Sequence, residues 1–140
     1  MTRPAQPTSQ RILVVDDDDG ARSAITMLLQ LDGHTVVEAK SGQEACWLFT
    51  PGDFDVVITD YSMPGMKGDE LARTIRCIVP SQPIVMVTAF VGNLVSDNNP
   101  VDAIIGKPFT LEDLRLVISS SLSARRKAAA PACGAKHVQA

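Results

Sequence analysis

Between residues 11 and 122 the chain alternates short apolar runs with stretches whose apolar residues recur every three to four positions. The runs at 12–15, 35–38, 56–59, 84–88 and 103–106 are strand length and rich in β-branched residues, which suits a pleated surface. The first helical stretch opens at Asp18 or Asp19, either of which can cap it. Its apolar stripe is Ala21, Ala24, Ile25, Leu28 and Leu29, and it ends near Asp32-Gly33. A second runs over 42–49 and stops at Pro51-Gly52; a third covers 69–78 with Leu71, Ala72, Ile75 and Ile78 on one face. The last starts after Thr110, a cap residue, and buries Leu111, Leu114 and Ile118. Where a helix should follow the fourth strand, Phe90 to Pro100 carries a Gly, two Asn in a row and a Pro. The pattern predicts a shortened or irregular helix there.

Strand and helix alternating in five units is the signature of an α/β fold with a parallel sheet. The 140 residues suffice for one core, and 45% apolar with only 4% aromatic residues predicts a core of Val, Ile, Leu, Met and Ala. The division expected is a flexible N-terminus over 1–10, one domain over 11–122, and a basic tail or linker stub over 123–140 that Pro131 and Gly134 close to helix. No apolar run approaches the roughly 20 residues of a membrane span, and residues 1–10 lack the apolar stretch of a secretory signal, so a cytoplasmic protein without membrane contact is expected. Cys46, Cys77 and Cys133 are odd in number and widely spaced, which argues against a disulfide framework or a zinc site; Cys46 and Cys77 read as small core residues. Residues 10–123 hold 8 Lys/Arg against 16 Asp/Glu, a local net charge of −8. So acidic a body is a poor nucleic-acid binder.

Part of that acidity is the run Asp16-Asp17-Asp18-Asp19 at the end of the first strand. In an open parallel sheet, ligands bind outside the carboxyl ends of the strands. Here those ends carry Asp16 and Asp17, Asp60, Thr88, and Lys107-Pro108. Carboxylates held together repel one another, so such a cluster is built around a cation, and oxygen-only ligands point to Mg2+. A carboxylate nucleophile on a phosphoryl group gives an acyl phosphate, with Lys107 and Thr88 available to its oxygens.

The segments Leu13-Val14-Val15-Asp16-Asp17, Val57-Ile58-Thr59-Asp60-Tyr61-Ser62-Met63-Pro64, Val85-Met86-Val87-Thr88-Ala89 and Lys107-Pro108-Phe109 together resemble the signature of response-regulator receiver domains, in order and nearly at the family's spacing. The resemblance implies a doubly wound five-stranded sheet of order 2-1-3-4-5, the flavodoxin-like receiver fold. It implies that Asp60 accepts a phosphoryl group from a histidine kinase, a phosphotransfer protein or a small phosphodonor. It further implies that Asp17 and Asp60 bind Mg2+ directly with the Ser62 backbone carbonyl, Asp16 standing nearby or acting through water. Thr88 and Lys107 would contact the phosphoryl group, and Ala89 would keep the entrance small.

Three features depart from the family's usual pattern. Ile104 occupies the place of the usual aromatic switch residue, three before Lys107, and the Thr88–Lys107 interval is short. Both bear on how a signal leaves the domain, through a face that many receivers also use to dimerise; a weak homodimer is left open. Lys67 stands where an acidic residue is common. The remaining candidates read as structural: Asp18 and Asp19 as caps, Asp53 and Asp55 as turn residues, His34 and His137 without metal-ligand spacing, Trp47 and Phe49 packing on the core or a partner, Arg125-Arg126-Lys127 as a solvated end.

Three functions compete: a switch read by an unlinked protein target, the same domain within a larger regulator or hybrid kinase, and an aspartyl-phosphate phosphatase. Against the last, an Asp-x-Asp-x-Thr pattern fails in both frames, with Gly20 and Ala21 where the hydroxyl should be. The chain is therefore expected to be a regulator whose only chemistry is its own phosphorylation and dephosphorylation. A degenerate receiver working as a phosphorylation-independent adaptor is the remaining alternative.

Overall fold

The computed structural model describes residues 9–89 and 101–127, with side chains described as far as Ser123. Five strands, β1 (Arg11–Val15), β2 (Thr35–Ala39), β3 (Val56–Asp60), β4 (Ile84–Thr88) and β5 (Ala103–Gly106), form one parallel sheet of order β2-β1-β3-β4-β5. Four helices lie among the described residues: α1 (Asp19–Leu31), α2 (Gly42–Leu48), α3 (Gly68–Ile78) and α4 (Leu111–Lys127). Every residue of β3 and β4 is buried, as continuous apolar strands in the middle of a helix-covered sheet should be.

Alternation along β1 explains the layering. Leu13 and Val15 face a core shared with Leu71 and Ile75 of α3 and Ala45 of α2, while Ile12 and Val14 face Ile25 and Leu29 of α1 and Leu114 and Ile118 of α4. Asp18 is the cap of α1, its Oδ2 accepting from Ala21 N at 2.9 Å. Thr110 and Asp113 close α4 reciprocally: Thr110 Oγ1 accepts from Asp113 N at 3.1 Å and Asp113 Oδ2 accepts from Thr110 N at 2.9 Å.

Several expectations are corrected. Helix α4 continues to Lys127, five residues beyond the boundary drawn at 122, because 123–127 contain only residues a helix tolerates and the first breaker is Pro131. Ile78 is 53% exposed and Ala24 and Cys77 are also exposed, since each lies on its helix away from the sheet. Trp47, 91% exposed, does not pack on the core; Phe49 does, stacking on Phe54 with centroids 6.1 Å apart. His34, by contrast, is structural as expected: it is buried, and its Nδ1 accepts from Gln10 N at 3.0 Å. The irregular helix expected over 90–100, and His137, Cys133 and residues 128–140, lie outside the described residues.

Candidate functional site

The sheet register brings the strand ends named above to one edge. Val15 pairs with Thr59 and Asp60 with Val87, so Asp16, just past β1, stands beside the last residues of β3. Thr88 pairs with Gly106, and the Lys107 N–H donates to the Thr88 carbonyl at 2.8 Å, which carries Lys107 to the same edge. Asp16, Asp17 and Asp60 each present a carboxylate oxygen, the three lying within 4.8 Å of one another. Among the described residues they are the one group of acidic, His or Cys side chains close enough to share an ion. Asp16 and Asp60 are buried and Asp17 is exposed, so the group is open on one side.

Lys107 answers part of that charge. Its Nζ lies 3.0 Å from Asp60 Oδ1 and 3.7 Å from Asp16 Oδ2. Burial alone would pull the ammonium down, but the hydrogen bond and charge of Asp60, with Asp16 and Asp18, raise it above the ordinary lysine range. Burial raises the Asp16 carboxyl, the Asp18 N–H opposes that, and the nearby Asp60 charge adds to the rise. Asp16 Oδ1 accepts from Asp18 N at 2.9 Å, whereas the buried Oδ2 has no hydrogen-bond partner among the described residues. A buried carboxylate oxygen that makes no hydrogen bond, within an all-oxygen cluster, is what a hard divalent cation fits.

The other predicted residues fall around this group. Thr88 is buried at the end of β4. Ser62 is exposed in the loop after β3, and Ala89 is exposed just past β4. Ile104 is half-buried in β5, opposite Met86. Lys67 Nζ stands over the Tyr61 ring, 5.9 Å from its centroid.

Two residues that matter to the geometry were not singled out from sequence. Gly68 donates its N–H to the Tyr61 carbonyl at 2.9 Å, and a Cβ there would collide with the Asp60 carbonyl oxygen. The loop after β3 thus closes on itself with backbone against backbone; the run Gly65-Met66-Lys67-Gly68 was the available signal. Arg22 reaches from α1 to the Asp16 carbonyl, and nothing local in the sequence announces that contact.

Residues 12–119 match the Response regulator receiver domain. The chain belongs to the response regulator receiver domain family. A crystal structure of a receiver domain protein from Clostridium thermocellum superposes with a TM-score of 0.78 at 30% identity, covering 84% of this chain and 97% of that one. That of response regulator TrrA from Thermotoga maritima, in complex with Mg(2+)-BeF, superposes with a TM-score of 0.74 at 34% identity, covering 81% and 99%. Chemotaxis protein CheY-3 of Vibrio cholerae is 34% identical over 113 residues, 76% of this chain and 87% of that protein. Sensor kinase CckA of Brucella abortus is 34% identical over 119 residues, of which this chain spans only 13% of the kinase. The receiver also spans 31% of a cyclic di-GMP phosphodiesterase of Thermotoga maritima and 15% of the Vibrio campbellii sensor kinase/phosphatase LuxN. Receivers are, as a class, regulators that take phosphoryl groups from histidine kinases. No helix among the described residues is long and apolar enough to cross a membrane.

Proposed function

We propose that this receiver is a Mg2+-dependent switch in which Asp60 accepts the phosphoryl group. The observation that carries the reading is the convergence of three carboxylates within 4.8 Å with Lys107 Nζ 3.0 Å from Asp60 Oδ1. Asp17 and Asp60 would hold the ion together with the Ser62 carbonyl, and Asp16 Oδ2, which makes no hydrogen bond among the described residues, would face it directly or through water. Bound there, Mg2+ would offset the charge of the carboxylates and of the incoming phosphoryl oxygens.

The residues of the chain divide the remaining work. An Asp60 oxygen attacks phosphorus, the bond from phosphorus to the donor breaks, and the donor group departs with that electron pair. Lys107 is already paired with Asp60, so it needs little movement to pair with a phosphoryl oxygen, and Thr88 is the hydroxyl at the same edge to donate to another. The partners we infer are a histidine kinase or phosphotransfer protein upstream and a protein target downstream, in the cytoplasm. An acidic body with no membrane-spanning helix among its described residues favours neither nucleic acid nor lipid.

Incubation with acetyl phosphate and Mg2+ should add one phosphoryl group by intact mass, and EDTA should prevent it. A folded protein that gains nothing, from this donor or from candidate kinases, would favour the adaptor reading. A second organisation is supported by the relatives: the chain covers small fractions of CckA, LuxN and the phosphodiesterase but most of CheY-3, so the same switch serves equally within a larger regulator.

A further inference from the structure

Arg22 is more deeply set into the acidic edge than Lys107, its side chain 13% exposed against 33%. Its guanidinium serves three acceptors at once. Nη1 donates to the Asp16 carbonyl at 2.7 Å, Nε to Glu38 Oε1 of β2 at 3.0 Å, and Nη2 to Asp19 Oδ1. The planar fork suits this work, since a lysine ammonium is a single point on a flexible stem.

The acceptor that matters is the Asp16 carbonyl. The Asp16 N–H donates to the Ala39 carbonyl at 3.1 Å, its Oδ1 accepts from Asp18 N, and its carbonyl oxygen accepts from Arg22. Of its polar atoms only Oδ2 is left without a hydrogen bond among the described residues. The carbonyl also belongs to the peptide that joins Asp16 to Asp17, so fixing its direction fixes where the next residue sets out. We infer that Arg22 is a positioning residue for the divalent-cation site, its hold on the Asp16 carbonyl orienting the Asp16 and Asp17 carboxylates toward Asp60. This rests on reading those three carboxylates as the Mg2+ site.

The inference separates cleanly from electrostatics because the two have opposite signs. Removing a guanidinium leaves the cluster more negative and frees Glu38 and Asp19 from their partner, so Coulomb's law alone predicts tighter binding of a cation. Loss of positioning predicts weaker binding.

The test is calorimetric titration of the full chain with MgCl2, comparing wild type, Arg22→Ala, Arg22→Lys and Asp17→Asn, each checked by thermal melting for a folded state. Arg22→Ala should weaken Mg2+ about tenfold, the low end of what loss of a supporting contact costs a metal site. Arg22→Lys keeps the charge and should still lose about threefold, because a single nitrogen cannot stand where Nη1, Nε and Nη2 stand and so cannot reach the Asp16 carbonyl, Glu38 and Asp19 together; this variant decides the matter if Arg22→Ala does not fold. Unchanged or tighter binding in whichever Arg22 variant folds, beside a loss in Asp17→Asn, would overturn the positioning role and leave the metal site intact. Wild type that fails to bind, or Asp17→Asn that binds as well as wild type, would overturn the metal reading and the role of Arg22 with it.

Discussion

A methyl group on Gly68 would occupy space held by the Asp60 carbonyl oxygen and would come within 2.9 Å of Tyr61 Cα. Both neighbours are backbone and cannot swing away, so Gly68→Ala must displace the end of β3 or the start of α3. A loss of roughly 1–3 kcal/mol is expected from overpacking of this kind, read by chemical denaturation. Asp16 gives the opposite sign. Burial raises its folded pKa above the ordinary 3.8, so its contribution to stability is fully present below that value and is lost as pH rises through the raised one. At neutral pH without Mg2+ the wild type carries a buried carboxylate with one oxygen that makes no hydrogen bond among the described residues, and Asp16→Asn removes that charge. Its melting point should be higher by roughly 3–6 °C, and saturating Mg2+ should narrow the gap by stabilising the wild type. A melting point at or below wild type would show that Asp16 is not under this tension. Asp16, Asp17, Asp60, Thr88 and Lys107 were legible in the sequence because each sits at a strand end, where the fold gathers ligands. Arg22 and Gly68 were not: Glu38 and the Asp16 and Asp60 carbonyls come to them through tertiary contact, and no local pattern encodes that.

At the scale of elements, apolar runs and caps placed every described strand and helix to within a residue or two, except the end of α4. Periodicity identifies the face of a helix and says less about how far the neighbouring layer extends over it. Ile78 belongs to the apolar stripe of α3 and Trp47 lies on α2, yet Ile78 is exposed and Trp47 does not pack on the core. The start of β2 carries a titratable joint. Buried His34 accepts a hydrogen bond from Gln10 N through Nδ1, a role open only to the neutral ring, and burial pushes its pKa below the ordinary 6.5 against the pull of Asp32 and Asp55. The neutral ring's contribution is therefore fully present above pH 6.5 and is lost as pH falls below it. Stability should decline from there, by at most ~1.4 kcal/mol per pH unit for one proton, before the carboxylates begin to titrate. Denaturant melts between pH 7 and 5.5 should show that slope in wild type and a flatter one in His34→Gln; equal slopes would remove His34 as the source.

For the molecule as a whole, the sequence resemblance supplied the strand order 2-1-3-4-5, which periodicity alone could not. Hydrophobic patterning says which residues are buried and not which strand lies beside which. That order is what makes the site, because it sets β1 against β3 and puts Asp16 and Asp17 beside Asp60. The central claim is chemical, that the phosphoryl group sits on Asp60 as an acyl phosphate. Borohydride reduces an acyl phosphate of aspartate to homoserine, so the phosphorylated chain, reduced and digested, reports the acceptor by peptide mass spectrometry. The account predicts homoserine at position 60 and nowhere else, and none after the same treatment of Asp60→Asn. Homoserine at Asp16 or Asp17, or a phosphoryl group that resists reduction because a hydroxyl carries it, would contradict it.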